Sequence, residues 1–302
     1  VHSWFTENTY QSPSWTEEEL LQAKGSRTVS VVLPALDEEP TVAGVIESVR
    51  PLVGSLVDEL VVVDSGSTDR TAAVASAAGA RVVHRTDVLP ELEPLPGKGE
   101  VLWRSLAATS GDLLVFLDSD LVSPAPWFVP RLLGPLFFDD DVHLVKSFYR
   151  RPLGASDDAG GGRVTELVAR PLLAALRPEL AMVVQPLSGE YAARRSFLES
   201  VPFAAGYGVE IGLLLDAHSR YGLAGLAQVN LGVRRHRNRP LAQLGVMARQ
   251  VLGTALARAG VAGSAAGLTQ FVEVMGEWLP DPQEVLLADR PPINEVAWPP
   301  VR

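Results

Sequence analysis

The feature that most constrains how this chain can fold is a rhythm of short apolar runs, Val29 to Leu33, Leu60 to Val63, Arg81 to His84 and Leu113 to Leu117, separated by helical stretches. The helical stretches begin near Pro40, Asp69 and Gly99, and Pro40 suits a first helical turn. Runs rich in Val and Leu without strict alternation belong to strands covered on both faces, and parallel strands need crossovers of this length. The pattern predicts an α/β fold with a doubly wound, Rossmann-like sheet over residues 28–150. Residues 1–27 read as an N-terminal arm, in which Thr16 to Glu19 forms a capping box ahead of Leu20 and Leu21. A strand is expected at Val142 to Tyr149, and Pro152 to Gly162, rich in Gly and Asp, reads as a loop. Residues 151–279 read as a smaller C-terminal lobe, with helices at Val164 to Leu176, Glu210 to Arg220 and Leu241 to Ala259 and a strand at Leu226 to Val233. The proline-dotted residues 280–302 read as an extended strap.

Ligands of open parallel sheets bind beyond the carboxyl ends of the strands, so the residues after each run carry the chemistry. The first run ends in Pro34-Ala35-Leu36-Asp37-Glu38-Glu39, the second in Asp64-Ser65-Gly66-Ser67-Thr68-Asp69, the fourth in Asp118-Ser119-Asp120. A dinucleotide-binding sheet needs glycines in the first of these turns, where Pro34 and Leu36 stand. Gly97-Lys98-Gly99-Glu100 lacks the upstream glycine and the following hydroxyl of a P-loop. Asp118 and Asp120, at a turn beyond an apolar strand, can share a Mg2+ or Mn2+ ion with substrate phosphates. Taken alone, the triplet is equally consistent with a solvated turn.

These motifs resemble the nucleotide-binding half of GT-A-fold glycosyltransferases. With Gly162-Arg163-Val164-Thr165-Glu166, Gly206-Tyr207-Gly208-Val209-Glu210 and Arg234-Arg235-His236-Arg237-Asn238, the whole chain resembles one retaining family, the glucosyl-3-phosphoglycerate synthases, which move glucose from UDP-glucose to 3-phosphoglycerate. The resemblance implies that Pro34, Ala35, Leu36, Glu38, Ser65, Lys98, Asp118, Ser119, Tyr207 and Arg234 bind the donor, Glu38 at the ribose and Ser65 at the base. It implies Asp120 and His236 as ligands of Mg2+ or Mn2+, and Asp118, Asp120 and Glu210 as catalytic groups. Arg163, Thr165 and Asn238 would take the acceptor.

Independently of the resemblance, Arg234, Arg235, Arg237 and Arg239 crowd His236 in a chain of net charge -10, which suits anionic ligands. A solvated basic strand end has the same composition, and His236 by itself reads as a surface histidine. Glu210 opens a helix, where an acidic residue is favourable without any chemistry. As a functional group it serves either as a nucleophile forming a glycosyl-enzyme or as an orienting group in front-face displacement; the second is favoured, because no further carboxylate is evident nearby.

The charge balance disfavours nucleic-acid binding. The absence of cysteine excludes thiolate metal sites and thiol nucleophiles and fits a cytoplasmic setting. No apolar run reaches the roughly 18 residues of a membrane span, which weighs against a polyprenyl-phosphate acceptor. A sugar nucleotidyltransferase needs a Gly/Arg-rich loop after its first strand, and a nucleotide-binding scaffold has no use for Arg163, Glu210 and His236 together. The apolar helix expected at Leu241 to Ala259 offers a face either for a twin subunit, making a homodimer, or for the chain's own core.

Overall fold

The computed structural model describes residues 2–150, 162–234, 240–261 and 266–296. In chain order its strands are β1 (Thr9–Tyr10), β2 (Val29–Ala35), β3 (Glu59–Asp64), β4 (Arg81–His84), β5 (Leu113–Phe116), β6 (Leu144–Arg150), β7 (Tyr191–Arg194), β8 (Phe203–Ala204), β9 (Leu226–Val233), β10 (Gly267–Val274), β11 (Glu277–Glu284) and β12 (Asp289–Arg290). Eight of them form one sheet in the order β1-β9-β6-β7-β5-β2-β3-β4. Within it only β7 runs against its neighbours, β5 and β6; the remaining pairs are parallel.

The helices are α1 (His2–Asn8), α2 (Glu17–Lys24), α3 (Val42–Val49), α4 (Thr71–Ala77), α5 (Lys98–Ala108), α6 (Phe128–Phe138), α7 (Arg170–Leu176), α8 (Arg195–Leu198), α9 (Val209–Tyr221) and α10 (Leu241–Arg258). Neighbours along β2 serve opposite cores: Val29, Val31 and Leu33 join one apolar cluster and Val32 the other. That double burial is why the strand lacks a polar face. Pro40 stands just outside α3, whose N-cap is Thr41, so the helix starts later than the proline suggests.

The chain does not divide where its sequence does. Trp4 is buried and donates from Nε1 to the Leu226 carbonyl at 3.0 Å, and β1 pairs in parallel with β9. The expected arm is thus an edge of the main sheet, because an isolated two-residue strand gains its hydrogen bonds only by joining one. The boundary at 150/151 separates β6 from β7 and β9, yet all three share the sheet. The boundary at 279/280 falls inside β11, which pairs with β10 as an exposed hairpin. The expected strap is therefore partly hairpin; farther on, β12 pairs with β8.

A buried ion network ties β12 to α5. The Glu100 carboxylate accepts from Arg104 Nε at 2.6 Å and from Arg290 Nε at 2.6 Å, with both Glu100 and Arg104 fully buried. Arg104 also donates to the carbonyls of Val88 and Leu92, fixing the loop that leads into α5.

Candidate active site

The sheet changes direction of winding between β2 and β5, since β2 leads to β3 on one side and receives β5 on the other. A crevice opens at such a point. Here it is a cavity of about 420 Å³ lined by Pro34, Ala35, Leu36, Glu38, Ser65, Lys98, Asp118, Ser119, Asp120 and Tyr207, together with Arg85, Pro96, Gly97 and Val101. The segments after β2, β3 and β5, far apart in sequence, meet around one space.

The three acidic strand ends do different work. Asp64 accepts from the Gly66 and Ser67 amides, closing the turn after β3. Asp37 accepts from the Thr68 amide at 2.7 Å, and Asp69 accepts from the Glu39 amide at 3.1 Å, so the first two ends brace each other. Asp118 and Asp120 instead face cations, and Ser119 Oγ anchors their turn by donating to the Pro34 carbonyl at 2.8 Å.

Lys98, the first residue of α5, places Nζ 2.5 Å from Asp118 Oδ1 and 2.7 Å from Glu210 Oε1. Burial opposes its charge, but Asp118 and Glu210 outweigh burial and hold the pKa well above the usual lysine range. The ammonium stands at a helix N-terminus, where the peptide dipoles add positive potential. Two glycines permit this placement. A Cβ on Gly97, which has φ 110°, would lie 2.6 Å from the Ala205 carbonyl oxygen, and one on Gly99 would lie 1.7 Å from the Ala204 carbonyl oxygen. The start of α5 therefore rests directly on the backbone that leads to Tyr207 and Glu210. Tyr207 in turn donates its amide to Gln250 Oε1 of α10 at 3.0 Å.

Arg234 follows β9, is buried, and lies behind the cavity lining against the two aspartates. Its Nη2 donates to Asp118 Oδ2 at 2.7 Å and Asp120 Oδ1 at 3.2 Å, its Nε donates to Glu190 Oε1 at 2.9 Å, and the guanidinium lies 5.6 Å from the Tyr149 ring centroid. Desolvation works against the charge, yet Glu190, Tyr149, Asp118 and Asp120 keep the pKa well above the ordinary arginine range.

Among the described residues, no group of three His, Cys, Asp or Glu side chains forms a ready cation cage. The donor set still fits a hard divalent ion of the Mg2+ type, which takes one or two carboxylates and completes its shell with water and substrate phosphates. Both Asp118 oxygens meet a cation, Lys98 or Arg234, and Asp120 Oδ1 meets Arg234 as well. His236 and Asn238, with Arg235, Arg237 and Arg239, lie outside the described residues. Arg163 is exposed, and Thr165 is buried at the start of a π-helical turn, Thr165–Ala169, that leads into α7 and packs on α10. Neither lines the cavity.

Residues 30–187 match the family model described as glycosyl transferase family 2. The chain is 63% identical to the glucosyl-3-phosphoglycerate synthase of Mycolicibacterium smegmatis over 97% of its own length and 98% of that protein's. The chain belongs to glycosyl transferase family 2, among the glucosyl-3-phosphoglycerate synthases. A more distant member, from Petrotoga mobilis, is 41% identical over 90% of this chain and 88% of its own. The Mycobacterium tuberculosis synthase, solved with Mn2+, UDP-glucose and phosphoglyceric acid, superposes with a TM-score of 0.88 at 60% identity, covering 95% of this chain and 98% of that one. The same enzyme has been solved with Mg2+ and UDP. The GT-A fold expected from the motifs is the fold of this family.

Three residues of the site escaped the sequence reading. Arg85 lines the cavity directly after β4, a basic strand end that a search for acidic strand ends passes over. Glu190, fully buried, precedes β7, a four-residue strand that its composition does not announce. Lys146 is also buried, donating from Nζ to the Ser188 carbonyl at 2.7 Å. Its signal was available, a charge in the middle of the apolar run Leu144 to Phe148.

Proposed function

We propose that this chain transfers glucose from UDP-glucose to 3-phosphoglycerate with retention at the anomeric carbon, assisted by Mg2+ or Mn2+. The observation that carries the reading is the Lys98 ammonium shared between Asp118 and Glu210 in the cavity, which brings the expected donor groups and the expected sugar-side carboxylate within one ion network. Membership of the synthase family, and a close relative solved with both substrates, support the choice of donor and acceptor.

On this reading Pro34, Ala35 and Leu36 flank the uridine, Glu38 meets the ribose and Ser65 the base. Lys98 and Arg234 supply positive charge to the diphosphate. Asp120 and His236 hold the metal ion, which when bound offsets the negative charge that grows on departing UDP. Tyr207 and Glu210 border the glucose, and Arg163, Thr165 and Asn238 take the phosphate and carboxylate of the acceptor. Glu210 Oε1 is already engaged by Lys98. That pairing favours orientation of sugar or acceptor over nucleophilic attack, and so a front-face route.

Turnover of UDP-glucose and 3-phosphoglycerate, read by product mass, tests the proposal. We expect EDTA to abolish it and Mn2+ to restore it. We expect Asp120→Ala to lower it roughly 10³-fold, since several kcal/mol at the leaving group convert at about 1.36 kcal/mol per decade. Full turnover in EDTA refutes the metal role.

We further infer that the chain works as a homodimer in the cytoplasm, where both substrates are metabolites. The dimer surface is the β10–β11 hairpin, which exposes Phe271, Val272, Met275, Trp278 and Leu279. The face of α10 packs on α9 within the same chain. Among the described residues no helix is long and apolar enough to cross a membrane.

A further inference from the structure

Arg234 sits between two sets of carboxylates with opposite exposure. Asp118 and Asp120 border the cavity, whereas Glu190 is fully buried and bonds the Nε edge of the guanidinium. The Tyr149 ring lies against the same group at 5.6 Å from its centroid. The Nε edge and one face are thus fixed by groups that do not border the cavity, while the Nη2 edge points at partners that a diphosphate and a cation would compete for.

The turn that carries Glu190 is built around the aspartates. A Cβ on Gly189 would fall 2.2 Å from Asp118 Oδ2, so the backbone of this turn abuts the carboxylate. Lys146 fixes the turn from below through the Ser188 carbonyl, and Ser147 donates its amide to the Glu190 carbonyl at 3.2 Å. Because β7 runs antiparallel to β5, with Tyr191 opposite Phe116, the start of β7 is delivered to the end of β5, where Asp118 and Asp120 stand.

We propose that Glu190 is a positioning residue for the donor site: it holds Arg234 by Nε so that the Nη2 edge can pass from Asp118 and Asp120 to the diphosphate when donor and metal ion bind. Lacking that anchor, the guanidinium settles on the two aspartates and competes with the cation. This inference rests on the reading of Asp120 as a metal ligand. A buried carboxylate that orients a group at a metal site acts from behind it, and losing such support costs about 10–100-fold in metal affinity or activity.

The test uses Glu190→Gln, which keeps the shape and an acceptor oxygen but removes the charge, beside Glu190→Ala. Calorimetric titrations of Mn2+ with UDP present, and of UDP with Mn2+ present, are combined with steady-state kinetics. We expect Glu190→Gln to weaken Mn2+ and UDP binding about tenfold and Glu190→Ala more, with the KM for 3-phosphoglycerate changed less than about twofold. In an Arg234→Met background, Glu190→Gln should add nothing, since the two act as one unit. Parental Mn2+ affinity in Glu190→Gln overturns the proposal, as does a full additional loss in the double variant. If the Glu190 variants lose their fold, Arg234→Met titrated alone decides: unchanged Mn2+ and UDP affinity there overturns it equally. Full turnover by the parent enzyme in EDTA would instead overturn the metal reading, an outcome distinct from these.

Discussion

Lys146 donates to the Ser188 carbonyl and lies 4.7 Å from the Tyr191 ring centroid. Desolvation pushes its pKa from 10.5 down to about 7; Glu210, Glu190 and Asp118 pull it up and Lys98 pushes it down. Between about pH 7 and 10.5 the unfolded chain keeps this proton and the folded chain has lost it, so stability rises with pH through that window. Below pH 7 the folded state carries the full cost of the buried charge. Lys146→Met removes the charge at similar length, and its melting temperature relative to the parent should be more favourable at pH 6 than at pH 9. A difference independent of pH would show that Lys146 does not titrate in this window. The same residue marks the limit of reading single positions. Pro34, Ser65, Asp118 and Asp120 stand out because they lie at strand ends in a sheet whose ligand end is known beforehand, whereas Lys98 opens a helix and is reached only through the family resemblance. Arg234 stands out in the basic cluster around His236, but its partner Glu190 does not, because a pairing between distant residues is encoded by no local spacing.

Among the elements, α5 carries the most consequence, because its start seats on residues 204–206 with no room for a side chain at Gly97 or Gly99. Gly99→Ala places a methyl 1.7 Å from a backbone oxygen, and backbone yields less readily than a flexible side chain. We expect a stability loss of about 1–3 kcal/mol in denaturant melts, with the KM for UDP-glucose raised through displacement of Lys98. Parental values for both would mean that α5 shifts freely. Secondary structure was legible where pattern was long. The strand Leu226–Val233 has the bounds its sequence suggests, and the Thr16 capping box is present, with Glu19 Oε2 accepting from the Thr16 amide at 2.8 Å. The hairpin was not foreseen, since Pro280 and Pro282 argue against a strand; they are tolerated because β10–β11 is a lone two-stranded ribbon whose other edges need no partner. The π-helical turn at Thr165–Ala169 differs from an α-helix by a single hydrogen-bond offset, which sequence period does not resolve.

At the scale of the molecule, the exposed hairpin is the surface on which the proposed dimer is tested. Phe271→Ser with Trp278→Ser should shift the mass found by light scattering from dimer toward monomer, and the melting temperature should fall and lose its dependence on protein concentration, because association stabilises the folded chain by mass action. An unchanged dimer mass would direct attention to another surface. The fold also ties together distant parts of the chain: Thr9 pairs with Gln228 in the main sheet, and Arg290 of β12 reaches back 190 positions to Glu100 of α5. This weave sets an order of events during synthesis. A ribosome delivers β2 to β5 and Lys98 early, but the partners that complete the crevice, Glu190, Glu210 and Arg234, emerge later, and the Arg290 clamp later still. At about 5–20 residues per second the interval from Glu100 to Arg290 is on the order of 10–40 s. For that time the nascent chain holds one half of a nucleotide site without the groups that complete it, so the crevice closes only once nearly the whole chain has been made.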